Sequence, residues 1–506
     1  MLDIPLERDE GEYAYAGQLM LEGVPPYSLA YNMKMPGIYA VYAVILAVFG
    51  QSASGIHLAV LFINAATIIL LFFMTKKLFG PIAGVGAAVF FAITSVSRTL
   101  NASANAENFV VLPAIAGIML LINFINTKKY LFLITAGILS GIAFLMKQHG
   151  AGFILFSYSI LFWDQVHQKP MNYKRLSSVI LIYSFFTILP FLITCLILWY
   201  CGVFEKFWFW TFEYSRQYIS ITSFHEGFAN LKEALRQIVS SAPFVWLFAL
   251  LGISSIIWNR NIRKYGMFLI SFLIYSFLMV CPGLYFRNHY FVLFLPVLSI
   301  LAGAGVVAIQ DFAGKRIKSA SKAAFISILI IPAVWFESFY SQRSYLLESD
   351  AFVLSRANFG LNPFPEAQKI AEFIKANSNK DDRIAVLGSE PEIFFYSHRR
   401  SATPYIYVYP LVEPHPYAVD MQREMINQIE ATKPRFVVFV KFHYSWLFRP
   451  ESGKLILDWA DNYVSTHYRQ IGLVEIAVQG QTLYHWNSVA KSSKGDYLIF
   501  IGERID

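Results

Sequence analysis

The amino-acid sequence predicts an α-helical polytopic membrane protein of about ten or eleven spans, followed by a C-terminal α/β domain. Three observations predict it. The 506-residue chain is 56% hydrophobic and only 15% charged, whereas a soluble domain carries about 25% charged residues. So little charge cannot cover a water-facing surface of normal size, so most of the surface must face lipid. Apolar runs of spanning length recur from Gly55 to Phe339, each near the roughly 20 residues that cross a bilayer core. Beyond Phe339 the composition turns soluble.

Taken in order, the first 54 residues form a loop of their own. Tyr13, Ala16, Gly17, Met20 and Leu21 recur at helical spacing, with Glu12, Gln18 and Glu22 opposite. This predicts a short amphipathic helix at the membrane interface, ended by Pro25-Pro26. Met35–Phe49 is apolar, but at 1.5 Å per residue it falls short of a core of about 30 Å. It is either a juxtamembrane helix or a short tilted span. The helical body, residues 55–340, reads as Gly55–Thr75, Pro81–Ser97, Asn108–Ile125, Tyr130–Met146, Gly150–Trp163, Ser178–Tyr200, Ala242–Trp258, Tyr265–Cys281, His289–Ile309 and Ala323–Phe336. Gly137-x-x-x-Gly141 has the small-residue spacing of helix packing.

Basic residues give the orientation, since cytoplasmic loops carry an excess of Lys and Arg. Alternate connections hold Lys76 and Lys77; Lys128 and Lys129; Lys169, Lys174 and Arg175; Arg260, Arg263 and Lys264; Lys315, Arg316, Lys318 and Lys322. These are expected inside. The first loop, the turns near Asn101, Lys147 and Arg287, the segment Val203–Ser241 and the C-terminal domain are then outside. That places residues 1–54 outside, so a further span is expected upstream of Met1. The start, with Asp3, Glu7 and Arg8, does not have the pattern of a signal peptide.

The remaining domain, residues 341–506, reads as helix Phe364–Ala376, strand Arg383–Leu387, helices Pro391–Ser397 and Val419–Ala431, strand Arg435–Val440 and helix Gly453–Asn462. Two late strands, Ile471–Val478 and Thr482–Trp486, flank a Gln479-Gly480 turn. The net charge of +8 is explained by the short basic loops, so no nucleic-acid partner is expected. Cys195, Cys201 and Cys281 have neither disulfide nor metal spacing. Asn101-Ala102-Ser103 matches a glycosylation sequon, a match too common by chance to carry weight.

Most unusual polar groups fall on the outer face. Asp9-Glu10 opens the amphipathic helix, either complementing its N-terminus or holding a general base at the membrane surface. Glu107 sits where an outer loop enters a span, a costly place for an acid. Lys34 precedes the short apolar helix, Lys147, Gln148 and His149 form an outer hairpin tip, and Arg287 and His289 begin a span. Any one cation could snorkel to head groups; several converging on one face suit a phosphate or diphosphate. The aromatic run Phe207, Trp208, Phe209, Trp210, Phe212, Tyr214, Tyr218 and Phe224 reads as an interfacial belt or as a flexible lid over a lipid-linked substrate.

The stretch Leu6-Glu7-Arg8-Asp9-Glu10-Gly11-Glu12-Tyr13-Ala14-Tyr15, followed by Lys34-Met35-Pro36-Gly37, resembles bacterial glycosyltransferase family 39, relatives of protein O-mannosyltransferases and of the lipid A aminoarabinose transferase. Arg287-Asn288-His289-Tyr290-Phe291 to Leu301-Ala302-Gly303 is similar to that group. So is Gly388-Ser389-Glu390-Pro391-Glu392 to Arg399-Arg400-Ser401-Ala402-Thr403. The resemblance implies a GT-C fold, a bundle of membrane helices with a catalytic first outer loop, and a sugar donor carried on polyprenyl phosphate. It implies that Asp9 acts as base and that Lys34 binds the lipid phosphate. The Lys-Pro-Pro often seen in the group is Lys34-Met35-Pro36 here.

The residue types agree with that chemistry. An acceptor hydroxyl or amine needs a base, supplied by Asp9 or Glu10. The leaving phosphate gains charge, and Lys34, Lys147, His149, Arg287 and His289 are the candidates to stabilise it. Glu107 is a second acid for an acceptor or a divalent metal, and the sequence leaves the metal open. The expected function is transfer of a sugar from a polyprenyl-phosphate donor, with inversion. The acceptor is a glycan, lipid or protein at the outer face of a bacterial cytoplasmic membrane. The alternatives are a transporter or flippase for a lipid-linked sugar, which would place its polar groups near the midplane within repeats, and a non-catalytic scaffold.

Overall fold

The computed structural model describes residues 1–100, 103–167, 171–477, 481–487 and 497–505. The sequon at Asn101, Lys169 of the third basic connection and the Gln479-Gly480 turn lie outside the described residues. The apolar runs read from the sequence are all helical. The first loop forms α1 (Arg8–Leu21) and α2 (Pro36–Phe49). The body continues through α3 (Ala53–Phe79), α4 (Pro81–Ser95), α5 (Ala106–Thr127), α6 (Tyr130–Met146), α7 (Ala151–Val166) and α8 (Tyr173–Tyr200). It closes with α9 (Phe224–Ser241), α10 (Pro243–Trp258), α11 (Gly266–Val280), α12 (Leu295–Ile317) and α13 (Ala320–Ser341).

Helices α3, α5, α8, α12 and α13 are each long and apolar enough to cross a membrane alone. Helices α9 and α10 pass that test only together, and they bend by 102° where Ala242 and Pro243 break the ladder. Helices α2, α4, α6 and α11 are apolar but shorter. The core is centred on α12, whose apolar window is 72% buried, while that of α8 is 11% buried and lines the periphery. Close approach explains Gly137 and Gly141. A Cβ on Gly141 would collide with the Thr187 carbonyl of α8, and one on Gly137 would meet the Phe186 side chain at 3.0 Å.

The basic connections gather at one end of this bundle. There Lys128 bonds Asp164 at 2.8 Å, the Phe79 and Tyr265 rings meet at 5.2 Å, and Asn259 donates to Asp311 at 2.9 Å. The first loop and the C-terminal domain share the other end. The aromatic run between α8 and α9 is helical and tightly packed there, with a π-helical turn at Phe209–Tyr214. Phe207 and Trp210 are buried against Tyr27, Tyr31 and Tyr405, and Tyr214 against Trp210 and His415, so this segment is a wedge rather than a free lid.

The C-terminal domain carries a six-stranded sheet in the order β2-β1-β3-β6-β4-β5. Its strands are β1 (Arg383–Leu387), β2 (Arg400–Ser401), β3 (Phe436–Lys441), β4 (Tyr468–Ile476), β5 (Leu483–Trp486) and β6 (Tyr497–Arg504). Strands β2, β1 and β3 are parallel; β6 runs antiparallel to both β3 and β4, and β4 to β5. Helices α14 (Phe364–Ala376), α15 (Glu392–Ser397), α16 (Ala418–Thr432) and α17 (Leu455–His467) accompany it.

Candidate active site

The first turn of α1 holds three consecutive side chains that leave in different directions. Glu10 is buried and closes a capping box, accepting from the Glu7 amide at 3.0 Å. Its other oxygen meets His57 Nε2 at 3.1 Å and the Ala104 amide. It is therefore committed to the helix end and to its neighbours. Arg8 turns to the C-terminal domain, pairing with Glu390 at 3.2 Å and donating to Asn362 and the Ser389 carbonyl.

Asp9 is partly buried and faces Lys34. Its Oδ2 lies 2.9 Å from Lys34 Nζ, and its Oδ1 accepts from Tyr407 Oη at 2.8 Å. Burial alone would raise the Asp9 carboxyl. The Lys34 ammonium, with His289 and Arg287, outweighs burial and holds it well below the usual carboxylate range. Glu12, one turn on, accepts from Asn32 and Tyr39 at 2.6 Å each. Burial pushes its carboxyl up to about 8, against the pull of Lys34. Asp9 is thus the stronger acid of the two and Glu12 the more readily protonated.

Beside this pair stands a second cluster. Glu107 Oε1 meets Lys147 Nζ at 2.5 Å and His289 Nε2 at 3.9 Å. Lys147 Nζ lies 4.2 Å from the Tyr290 ring centroid, and the His149 ring lies tilted against that ring at 5.3 Å. Burial, reinforced by Lys147, drives the His149 imidazole down to about 3, so it is neutral at pH 7; neither ring nitrogen has a partner. Arg287 is exposed, donating to Tyr218 Oη at 3.3 Å. The sequence-predicted residues Asp9, Lys34, Glu107, Lys147, His149, Arg287 and His289 thus come together, and Glu10 makes its contacts elsewhere. Among the described residues no group of three His, Cys, Asp or Glu side chains is arranged to hold a metal ion.

A cavity of about 420 Å³ adjoins the cluster, lined by Glu7 just before α1, Arg8 of α1, Asn105, Arg287, His289 and residues of α9. A wider hollow at the start of α8, around Lys174, Ser177 and Leu181, contains no carboxylate.

Tyr407 was not legible as a site residue, because it comes from the C-terminal domain. That domain is fastened along the whole of α1. Leu6 N donates to Tyr396 Oη at 2.9 Å, Gln18 meets His398 at 2.9 Å, and Ser401 N donates to Tyr15 Oη at 2.8 Å. Glu22 pairs with Arg400 at 2.8 Å. A Cβ on Gly11 would lie 2.6 Å from that of Glu392, so only glycine lets α15 approach so closely.

The chain superposes on solved proteins over nearly its whole length. ArnT from Cupriavidus metallidurans bound to undecaprenyl phosphate superposes with a TM-score of 0.58 over 99% of this chain and 95% of that one, at 13% identity. The fold is GT-C. Apo ArnT from the same organism matches alike, at 14% identity over 99% of this chain and 94% of that one, with a TM-score of 0.58. The archaeal oligosaccharyltransferase AglB from Archaeoglobus fulgidus, in complex with an inhibitory peptide and a dolichol-phosphate, shares the GT-C fold. It has a TM-score of 0.53 over 96% of this chain and 71% of that one, at 13% identity. At such identities the likeness is one of fold. The family profile of dolichyl-phosphate-mannose-protein mannosyltransferases matches residues 33–194. That stretch includes Lys34, Glu107, Lys147 and His149, and leaves Asp9, Arg287 and His289 outside. No curated protein matches the chain in sequence.

Proposed function

We propose that the protein is a membrane glycosyltransferase that moves a sugar from a polyprenyl-phosphate donor to an acceptor. The reaction takes place at the extracytoplasmic face of a bacterial inner membrane. The observation that carries this reading is Asp9, held ionised between Lys34 and Tyr407. Lys147, Arg287 and His289 lie within electrostatic reach of the Asp9–Lys34 pair, and Glu107 pairs with Lys147. The undecaprenyl phosphate of ArnT and the dolichol-phosphate of AglB support a lipid phosphate as the donor's carrier.

The ion pair suggests how the site is switched on. A lipid phosphate that approaches Lys34 competes with Asp9 for the same ammonium. As Lys34 turns to the phosphate, Asp9 loses its principal counter-charge and becomes more basic. It then takes the proton of an acceptor hydroxyl or amine. The acceptor atom bonds to the anomeric carbon, the carbon–oxygen bond to phosphate breaks, and the electron pair leaves on the phosphate. Lys34 and Arg287 stabilise that charge. One displacement inverts the anomeric centre. Glu107 pairs with Lys147 in a buried place, which fixes a further basic group beside the path.

The test is donor consumption by purified protein in lipid, using a radiolabelled polyprenyl-phosphate sugar. Asp9→Asn should abolish turnover while donor binding persists. Equal consumption by wild type and Asp9→Asn would remove Asp9 from the mechanism.

A further inference from the structure

One histidine holds the first turn of α1 from outside. His57 stands in the second turn of α3, at the end of that helix beside the first loop. Its two ring nitrogens face two oxygens: Nδ1 lies 2.8 Å from the Leu2 carbonyl, and Nε2 lies 3.1 Å from Glu10 Oε1. A carbonyl oxygen only accepts, so Nδ1 carries a hydrogen. Glu10 accepts on every side. Its Oε2 takes the Glu7 amide at 3.0 Å and its Oε1 the Ala104 amide at 2.5 Å, so Nε2 carries a hydrogen too. A neutral imidazole has only one N–H; the two contacts together require the imidazolium form.

That charge sits at a junction. Glu10 follows Asp9 in the chain, and Ala104 leads into Asn105 of the cavity wall and Glu107 of the second cluster. Through Glu10, His57 therefore ties α1, α3 and the entry to α5 together. Glu10 is 1% exposed, and among the described residues His57 is the one cation paired with it. A buried carboxylate that loses its counter-charge does not stay in place without cost. The other charged groups facing the ring are the amino terminus at Met1 and, one turn away, Asp3, which bonds Ser54 at 2.6 Å. The His57 side chain is 9% exposed, so solvent protons reach it.

We infer that His57 is a positioning residue: as an imidazolium it holds the Glu10 carboxylate, and with it the turn that carries Asp9, and loss of its proton loosens that turn and ends turnover on the alkaline side. This rests on the transferase reading, with Asp9 as base, and adds to it the group that places the base and makes its placement depend on pH. Deprotonation leaves one ring nitrogen with a lone pair facing either the Glu10 carboxylate or the Leu2 carbonyl, so one of the two contacts opens. A reacting group displaced by about 1 Å loses about a hundredfold in rate. The donor phosphate is held by Lys34 and Arg287, which His57 does not touch, so the loss falls on kcat.

The experiment follows donor consumption against pH by the full chain in nanodiscs, with a radiolabelled polyprenyl-phosphate sugar, for wild type, His57→Gln and His57→Arg. Wild type should lose turnover on the alkaline side. His57→Gln removes the charge and should lower kcat by at least about tenfold at every pH, with donor KM within about twofold. His57→Arg supplies several N–H donors and a charge that does not titrate. It should turn over faster than His57→Gln and hold its rate through the pH at which wild type falls. A fall at the same pH in His57→Arg would assign the limb to another group and overturn the inference. So would a His57→Gln enzyme with wild-type kcat and profile. A second measurement does not depend on turnover or on His57→Arg folding. The ring-nitrogen NMR signals of His57, assigned by their absence from the His57→Gln spectrum, should show both nitrogens protonated at neutral pH. A neutral ring there overturns the inference as well. No donor consumption by wild type at any pH would instead strike at the transferase reading, and the nitrogen signals would still decide the charge of His57.

Discussion

Tyr407 Oη donates to Asp9 Oδ1 across 2.8 Å, although 398 positions separate the two residues in the chain. Lys34 holds the other carboxylate oxygen at 2.9 Å. The orientation of the acid is thus fixed jointly by the first loop and by the C-terminal domain. If Asp9 is the base, that domain contributes one hydrogen bond to its ionised form.

Tyr407→Phe should therefore change the pH profile of turnover. A hydrogen bond donated to the ionised form lowers a carboxyl's pKa, so its loss raises it. Activity that needs ionised Asp9 is lost as pH falls through that value. The acid limb should move to higher pH, by about one unit for a bond of ~1.4 kcal/mol. Donor KM should stay within about twofold, because Tyr407 is placed against the acid and not against the phosphate. A profile identical to wild type would make Tyr407 a packing residue only.

Lys34 has the reverse signature. Lys34→Met should raise donor KM by at least about tenfold, since a charge-assisted bond to phosphate contributes about 1.5–3 kcal/mol. It should also raise the Asp9 carboxyl by removing its main counter-charge. The acid limb then shifts in the same direction as in Tyr407→Phe, but with binding lost as well. Titrating polyprenyl phosphate onto both variants separates the two effects.

Much of this site was legible because its parts are locally coded. Asp9 and Lys34 sit in short motifs at the two ends of one loop, and Glu107, Lys147 and His289 are polar groups at the ends of apolar runs. Tyr407 gave no such signal, since nothing in Tyr405-Ile406-Tyr407-Val408 distinguishes a ligand of Asp9 from a core tyrosine. Strand β6 escaped for a related reason. It lies between β3 and β4, and Leu498-Ile499-Phe500-Ile501 is a continuous apolar run without the alternation that marks a half-exposed strand. The helical body was the easiest part, because lipid imposes a length and composition that water does not.

The Glu107–Lys147 pair should report on stability as well as on chemistry. Glu107 is 1% exposed and Lys147 is 8% exposed. Removing one partner leaves a buried charge uncompensated, at about 3–5 kcal/mol. Glu107→Gln should therefore lower the midpoint of thermal unfolding in detergent. The double variant Glu107→Gln/Lys147→Met should recover most of it, since the pair together is near neutral against apolar replacement. A double variant as unstable as the single one would mean that Glu107 acts through other contacts.

Glu392 offers a prediction of opposite sign. It is fully buried behind Gly11, and neither carboxylate oxygen has a partner. Burial, with Glu390 close by, raises its carboxyl well above the ordinary value. The folded protein thus keeps a proton there that the unfolded chain releases above about pH 4.3. Because the folded state binds more protons, its stability falls as pH rises through that range. Glu392→Gln keeps the shape and removes the titration. It should match wild type near pH 4 and become progressively more stable than wild type toward pH 8. Thermal unfolding at both pH values checks this: a variant less stable than wild type at pH 8 would show that Glu392 is ionised in the fold and held by a charge partner.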